Sequence, residues 1–394
     1  MQTALSQLRE IMLSLICCEI QDIKINESIK TSLKDTTIFS ELYTFSKKHD
    51  LSHFVASSLS KNDMLAQDEV SKKFQQQMMM AVYRYEQKKY ALNNVKQILE
   101  EAEIPHIPLK GAVIQKYYPV PWFRTSCDID ILIHQEDADR AITVLNEAGY
   151  IRQNDMTTHD YSFIAPGQVH LELHYTLEQG EQLEKANFVL DKVWDYSTLD
   201  DSTQYGYKMS DAFFLWYHLA HMAKHFIGGG CGIRPFIDLW LLEKNGYCNS
   251  SQLNELLRKA NLTTFYESTM KLIGVWFEGE AHSAVTEQME LFILAGGVYG
   301  TASNSAAVKA ARGESKFCSF FKLMFLPRKS LEVIYPNIRK HPILYPFYQI
   351  KRWFRIFNRK KRNHIGKLTA ARNAVDAKEE NQTRTLLYDL GLRE

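Results

Sequence analysis

The sequence lacks several features that would assign it quickly, and each absence excludes something. No stretch of about 18 or more apolar residues occurs, so no membrane-spanning helix is expected. Cysteine is sparse: six in 394 residues, at 17, 18, 127, 231, 248 and 318. They form no CxxC pair and no regular spacing, which argues against a disulfide scaffold and a zinc ribbon. Reduced thiols in a cytoplasmic protein are the economical expectation. The N-terminus has no signal-peptide pattern, because Glu10 interrupts the apolar run and no small-residue cleavage site follows. There is no excess of charge of either sign, with 47 Lys and Arg against 46 Asp and Glu, so nothing global draws the chain to nucleic acid. No internal repeat of fixed period is visible.

The length exceeds the roughly 250–300 residues at which one core stops growing, so more than one domain is expected. The first stretch, 1–95, reads as a helical module. Leu5, Leu8, Met12, Leu15 and Ile16 fall at helical spacing, and Phe39, Leu42, Phe45, Leu51 and Phe54 continue in that style. Residues 69–102 contain neither Gly nor Pro and predict one long helix ended by Pro105.

The pattern then changes over residues 96–200. The run 104–111 is strand-like, 111–118 predicts a helix stopping before Pro119, and 120–126 a loop. The run CDIDILI at 127–133 alternates acidic and aliphatic residues, as a strand buried on one face does. Residues 135–150 predict a helix ended by Gly149, and 161–177 a β-hairpin turning at Pro166–Gly167–Gln168. Beyond 205 the chain is helical again. Ser210 is the expected N-cap of a helix running into Gly228, Gly229 and Gly230, a second helix covers 233–246, and more fill 250–310. The last region, 311–394, is basic and aromatic. Residues 327–362 hold eleven Lys or Arg and one acid, Glu332. Phe347, Ile350, Phe354 and Phe357 share a helical face, with Lys351, Arg352 and Arg355 between them. This stretch reads as a solvated basic face, a nucleic-acid contact or a membrane-surface helix, the first being preferred. The final thirty residues look polar enough to fray.

The chemistry concentrates in two short runs. Side chains at i and i+2 of a strand share a face, so Asp128 and Asp130 point the same way while Ile129, Ile131 and Ile133 point inward. In VHLELHYTL, Val169, Leu171, Leu173 and Tyr175 line one face, with His170, Glu172 and His174 on the other. If the two strands pair, Glu172 reaches the aspartates, and three carboxylates suit a divalent cation and a phosphate substrate. His170 and His174 read as neighbours on the strand face rather than as ligands. His221 and His225 have the i, i+4 spacing of a metal pair, but HMAKH lacks the glutamate of a zinc protease, and a structural role is preferred. Arg234 and Asp238, also i, i+4, read as an ordinary helix salt bridge.

Taken in order, PLKG at 108–111, DID at 128–130 and LEL at 171–173 resemble the nucleotidyltransferase superfamily, whose fold is of the DNA polymerase beta type. IPHIPLKGAVIQKYYP, Arg124, DIDILI and HLAHMAKHF…IRPFIDLWLL resemble more narrowly its bacterial uncharacterised nucleotidyltransferase family, over about residues 36–250. The resemblance implies an α+β fold: a small mixed sheet with flanking helices, embedded between largely helical N- and C-terminal modules. It implies Asp128, Asp130 and Glu172 as catalytic and metal-binding carboxylates for Mg2+ or Mn2+. Lys110, Gly111, Arg124 and Ser126 become the nucleotide-binding candidates, and His221, Lys224, His225 and Arg234 candidates for lining the cleft. The expected reaction transfers a nucleoside monophosphate from a nucleoside triphosphate such as ATP to an unidentified acceptor: a small molecule, a glycan precursor or a protein. Where many relatives carry Gly-Ser or Gly-Gly at the turn, this chain has Lys110-Gly111-Ala112. That departure keeps open a second expectation, a non-catalytic binding or scaffold protein on a degenerate nucleotidyltransferase fold.

Overall fold

The computed structural model describes residues 2–153, 159–177, 183–247, 250–298, 300–335, 337–356 and 359–393. Five helices open the chain: α1 Gln2–Gln21, α2 Glu27–Ser32, α3 Thr36–Lys48, α4 Ser52–Lys61 and α5 Glu69–Glu101. Asn26, Asp35 and Asp68 cap α2, α3 and α5, each side chain accepting a backbone N–H of the first turn. Helix α5 runs unbroken through 33 residues, about 50 Å at 1.5 Å per residue. Phe74 near its start buries in the core shared by α1, α3 and α4, while Ala91, Val95 and Leu99 bury in a second core beneath the sheet. One helix therefore serves two cores.

The sheet follows: β1 His106–Pro108, β2 Asp128–Ile133, β3 Ile151–Arg152, β4 Asp160–Ile164 and β5 His170–His174, in spatial order β1-β2-β5-β4-β3. Strands β2 and β5 pair parallel and every other neighbour pairs antiparallel. Between β1 and β2 lies α6, Gly111–Ile114, a single turn continued as a 3-10 turn over 115–117. The longer helix expected there does not form. Tyr118 precedes Pro119, which disfavours the helical region, and its backbone is extended with ψ 146°. The helix expected over 135–150 also opens as a 3-10 turn before α7, Ala138–Glu147, and closes at Gly149 with φ +85°. The two-residue edge strand β3 was not visible in the sequence. Nor were α8, Glu184–Leu190, and the small hairpin of β6, Ser197–Leu199, with β7, Tyr207–Met209.

The second helical half comprises α9 Asp211–Gly228, α10 Arg234–Lys244, α11 Ser251–Ala260, α12 Thr263–Phe277, α13 Ala284–Gly296 and α14 Ala302–Ala311. The Ser210 hydroxyl accepts from the Phe213 amide, so it caps α9 as expected. Gly229, Gly230 and Gly232 have φ of +121°, +144° and +68°, and let the loop between α9 and α10 press against the backbone of Val298, Gly300 and Ser305. A Cβ on Gly229 would stand 2.8 Å from the Ser305 nitrogen.

The C-terminal region forms α15 Lys316–Met324, α16 Arg328–Ile334, α17 Asn337–Lys340, α18 Tyr345–Ile356, α19 Arg359–Ala374 and α20 Ala377–Asp389. Phe347, Ile350 and Phe354 stand exposed on α18; Phe357 and the side chain of Arg355 lie outside the described residues. The end of the chain does not fray as its polarity suggested. Leu386, Leu387, Leu390 and Leu392 bury in the main core, α20 packs on α13 and α14, and Arg312 donates to the Leu392 carbonyl. Five described cysteines are free thiols, and Cys248 lies outside the described residues. Among the described residues no helix is long and apolar enough to cross a membrane. Because Leu387 is fully buried, Leu387→Ala should cost about 2–5 kcal/mol in urea denaturation. A loss near zero would mean the last helix is not docked.

Candidate active site

Alternation along β2 and β5 builds the site. Ile129, Ile131 and Ile133 join Leu171, Leu173 and Phe163 in the core under the sheet, against α5 and α7. Asp128 and Asp130 therefore emerge on the opposite face, as do His170, Glu172 and His174. The parallel register sets Asp128 beside His170 and Asp130 beside Glu172. Ligand atoms of Asp128, His170 and Glu172 lie within 4.8 Å of one another, as do those of Asp130, Glu172 and His174. Glu172 belongs to both groups and so stands beside each of the two aspartates.

Their electrostatics differ. Asp130 is buried, and its Oδ1 accepts from His174 Nε2 at 2.9 Å and from Lys110 Nζ at 3.2 Å. Burial opposes its charge, but Lys110 and His174 outweigh that and hold its carboxyl well below the usual carboxylate range. Burial likewise opposes a charged His174, and its bonds to Asp130 and Glu172 raise it to about 9. Asp128 moves the other way, pushed up by burial and by the negative charge of Asp130 and Glu172. A divalent cation relieves that repulsion, and carboxylate oxygens are the donors that Mg2+ and Mn2+ favour. The side chains present fit such an ion. His174, read from the sequence as a bystander, is the closest partner of Asp130; nothing in the alternation distinguished it from His170.

The loops above the sheet are also tied to it. Lys110 adopts φ +44° and ψ −114°, a conformation that residues with a Cβ rarely take. The Leu109 amide bonds the Asp130 carbonyl at 3.0 Å, fixing the turn that aims Lys110 at the carboxylate. Gly111 opens only the single turn of α6. The amides of Ala112, Val113 and Ile114 bond the carbonyls of Leu109 and Lys110, and a Cβ on Gly111 would meet Arg124 and Ser126 at 3.6 Å. The Ser126 hydroxyl donates to the Asp128 carbonyl at 3.0 Å and accepts from Lys88 Nζ at 2.6 Å. Lys88 comes from α5, and burial, aided by the charge of Arg124, lowers its amine to about 8. One lysine among many on a polar helix carried no signal in the sequence.

Arg124 is held in place by a buried carboxylate. Its Nε donates to both oxygens of Asp238, at 2.8 and 3.0 Å, and Tyr118 donates to the same carboxylate at 2.7 Å. The helical salt bridge expected between Arg234 and Asp238 does not form. Arg234 lies at the start of α10 and turns outward to Asp50 at 2.7 Å and Thr125 at 2.9 Å, while Asp238 faces the buried Arg124. His218 Nε2 adds a contact to Asp238 at 3.5 Å. This buried pair links the loop before β2 to α9 and α10.

Between the sheet edge and these helices lies a cavity of about 120 Å3, whose wall includes Lys110, Arg124, His221, His225 and Arg234. His221 and His225 meet there, ring nitrogens 3.1 Å apart. Lys224, half-buried on the same helix, is not on that wall. His49, from the end of α3, also lines the cavity; it is fully buried, and burial beside Lys48 lowers its pKa to about 4.

Two outcomes test these assignments. Truncating Asp238 leaves Arg124 charged and buried, so Asp238→Ala should lose about 3–5 kcal/mol in urea denaturation; a loss below 1 kcal/mol would contradict the pairing. His49 is depressed from 6.5 to about 4, so the unfolded chain binds its proton first as pH falls. The associated stability, on the order of 3 kcal/mol, is complete above pH 6.5 and lost as pH falls towards 4. Stability measured from pH 7 to 4 should fall less steeply in His49→Leu, and an unchanged slope would refute the buried neutral ring.

Comparison with known proteins agrees with this geometry. No curated protein and no solved structure matches the chain. A family match runs over residues 36–278, from α3 through the sheet and the cavity helices to the end of α12. The chain is therefore a member of the uncharacterised nucleotidyltransferase family.

Proposed function

We propose that the protein is a metal-dependent nucleotidyltransferase that moves a nucleoside monophosphate from a nucleoside triphosphate to an acceptor. The observation that carries this reading is the placement of Asp128, Asp130 and Glu172 on one face of the parallel β2–β5 pair, with Glu172 within reach of each aspartate. Those three side chains would hold Mg2+ or Mn2+. When bound, the ion lowers the pKa of an attacking hydroxyl and stabilises charge on the phosphoryl oxygens.

The chain's own groups do the rest. Glu172, half-buried, takes the proton from the acceptor hydroxyl as its oxygen attacks the α-phosphorus. The bond from the α-phosphorus to the bridging oxygen breaks, and pyrophosphate leaves with that electron pair. Lys110 steadies the phosphates beside Asp130, and Lys88 holds Ser126 and the loop before β2 in place. Arg124 keeps the phosphate side electropositive through a guanidinium fixed by Asp238.

A second reading, a binding protein on a degenerate fold, draws on two contacts: Lys110 already occupies Asp130, and Asp238 already occupies Arg124. Thermal unfolding with each nucleoside triphosphate, with and without Mg2+ or Mn2+, separates the two. For the transferase, one nucleotide at about 100 times its Kd adds roughly 2.7 kcal/mol only with the metal, and Asp128→Ala/Asp130→Ala abolishes the gain. No shift with any nucleotide would leave the binding-protein reading.

A further inference from the structure

The cavity beside the carboxylates has a one-sided chemistry. Its ionisable wall consists of Lys110, Arg124, Arg234, four histidines and the Cys231 thiol, and no carboxylate of a described residue lines it. Burial pushes Cys231 up to about 12, which leaves the thiol neutral. Each cation is braced from behind by an acid: Lys110 by Asp130, Arg124 by Asp238 and Arg234 by Asp50. The braces fix where the positive groups stand without placing an acid on the wall.

Two further observations point to an occupant. The cavity borders Gly232, Ile233, Arg234 and Pro235, the opening turn of the eleven-residue α10, and no side chain caps that turn at Ile233. Pro235 has no N–H and the Phe236 amide already bonds the Ile233 carbonyl, so what this turn offers an anion is the positive end of the helix dipole and the amides before Pro235. In addition, His49 is fully buried on the cavity wall, with the Leu294 backbone as a weak hydrogen-bonding neighbour but neither ring nitrogen in good hydrogen-bonding geometry. Such an orphaned polar group costs stability unless something completes it.

We propose that this cavity binds the phosphate group of a phosphorylated acceptor, separately from the triphosphate of the donor; the acceptor assignment rests on the transferase reading above. Arg234 supplies guanidinium N–H groups and His49 one ring N–H, Arg124 adds positive charge to the wall from the donor side, and Lys110 reaches from the cavity to Asp130 at 3.2 Å. That bridge holds the acceptor one side chain from the carboxylates. A water needs roughly 10–15 Å3 of such space. The cavity, at about 120 Å3, has room for a phosphate with a short attached chain.

The test is calorimetric titration of the full chain with inorganic phosphate at fixed ionic strength. It is repeated with each ribonucleoside triphosphate and Mg2+ at saturation, and in His49→Leu, Arg234→Gln and Asp128→Ala. The expected result is one phosphate site, weakened about tenfold or more in both His49→Leu and Arg234→Gln. It should persist in Asp128→Ala and with the nucleotide bound. His49→Leu removes an unsatisfied polar group, so its melting temperature should not fall, which separates lost binding from lost folding. Absence of phosphate binding, or binding indifferent to both cavity variants, overturns the proposal. Displacement of phosphate by the nucleotide also overturns it, assigning the cavity to the donor. Phosphate binding without any nucleotide binding overturns the acceptor role together with the transferase reading, while leaving the anion site standing.

Discussion

A carboxylate taken out of water must be answered by charge or by hydrogen bonds, and Asp130 is answered by both. It sits in the middle of β2, its backbone tied to Leu109 and its side chain to Lys110 and His174. Those partners come from two directions: the loop after β1 and the end of β5. The aim of Lys110, the burial of His174 and the register of β2 against β5 all follow from satisfying that one group. Lys110 holds an unfavourable backbone conformation to do so. Asp128, two residues earlier and less enclosed, carries the unrelieved part of the repulsion.

A second buried pair repeats this logic on the helical side. Asp238 gathers Arg124, Tyr118 and His218, and so fastens the loop before β2 to α9 and α10. Breaking such a pair leaves a charge without an answer, although building it costs desolvation. Its value here is positional. This pinned loop joins the shared apolar core in holding the sheet to the helical half, and the glycines between α9 and α10 let the opposite wall of the cavity close up.

Much of this was legible in the sequence, and the parts that were not share a cause. The strand alternation at 128–133 and 169–175 depends on local periodicity, so the placement of Asp128, Asp130 and Glu172 on one face could be anticipated once pairing was assumed. The long α5 could be read from the absence of Gly and Pro, and the Ser210 cap from its position. What escaped were long-range partnerships. Lys88 reaches Ser126, Arg234 prefers Asp50 to Asp238, and His174 rather than His170 finds Asp130; spacing along one element carries no information about these choices. The docked C-terminal helix escaped because four leucines in a polar stretch look unremarkable until a groove between α13 and α14 is available. Short pieces such as β3 and the β6–β7 hairpin fall below what periodicity can register.

The parallel pairing of β2 and β5 has one more consequence, in the order of events as the chain folds. The two strands are neighbours in space, but α7, β3 and β4 lie between them in sequence, so their contact closes a long loop. Closing such a loop costs chain entropy before the contact can repay it. The β4–β5 hairpin and α5 can organise locally, whereas the acidic cluster comes into being only when β5 docks beside β2. A partly folded chain in which β5 has not docked beside β2 therefore lacks the side-by-side placement of Asp128, Asp130 and Glu172.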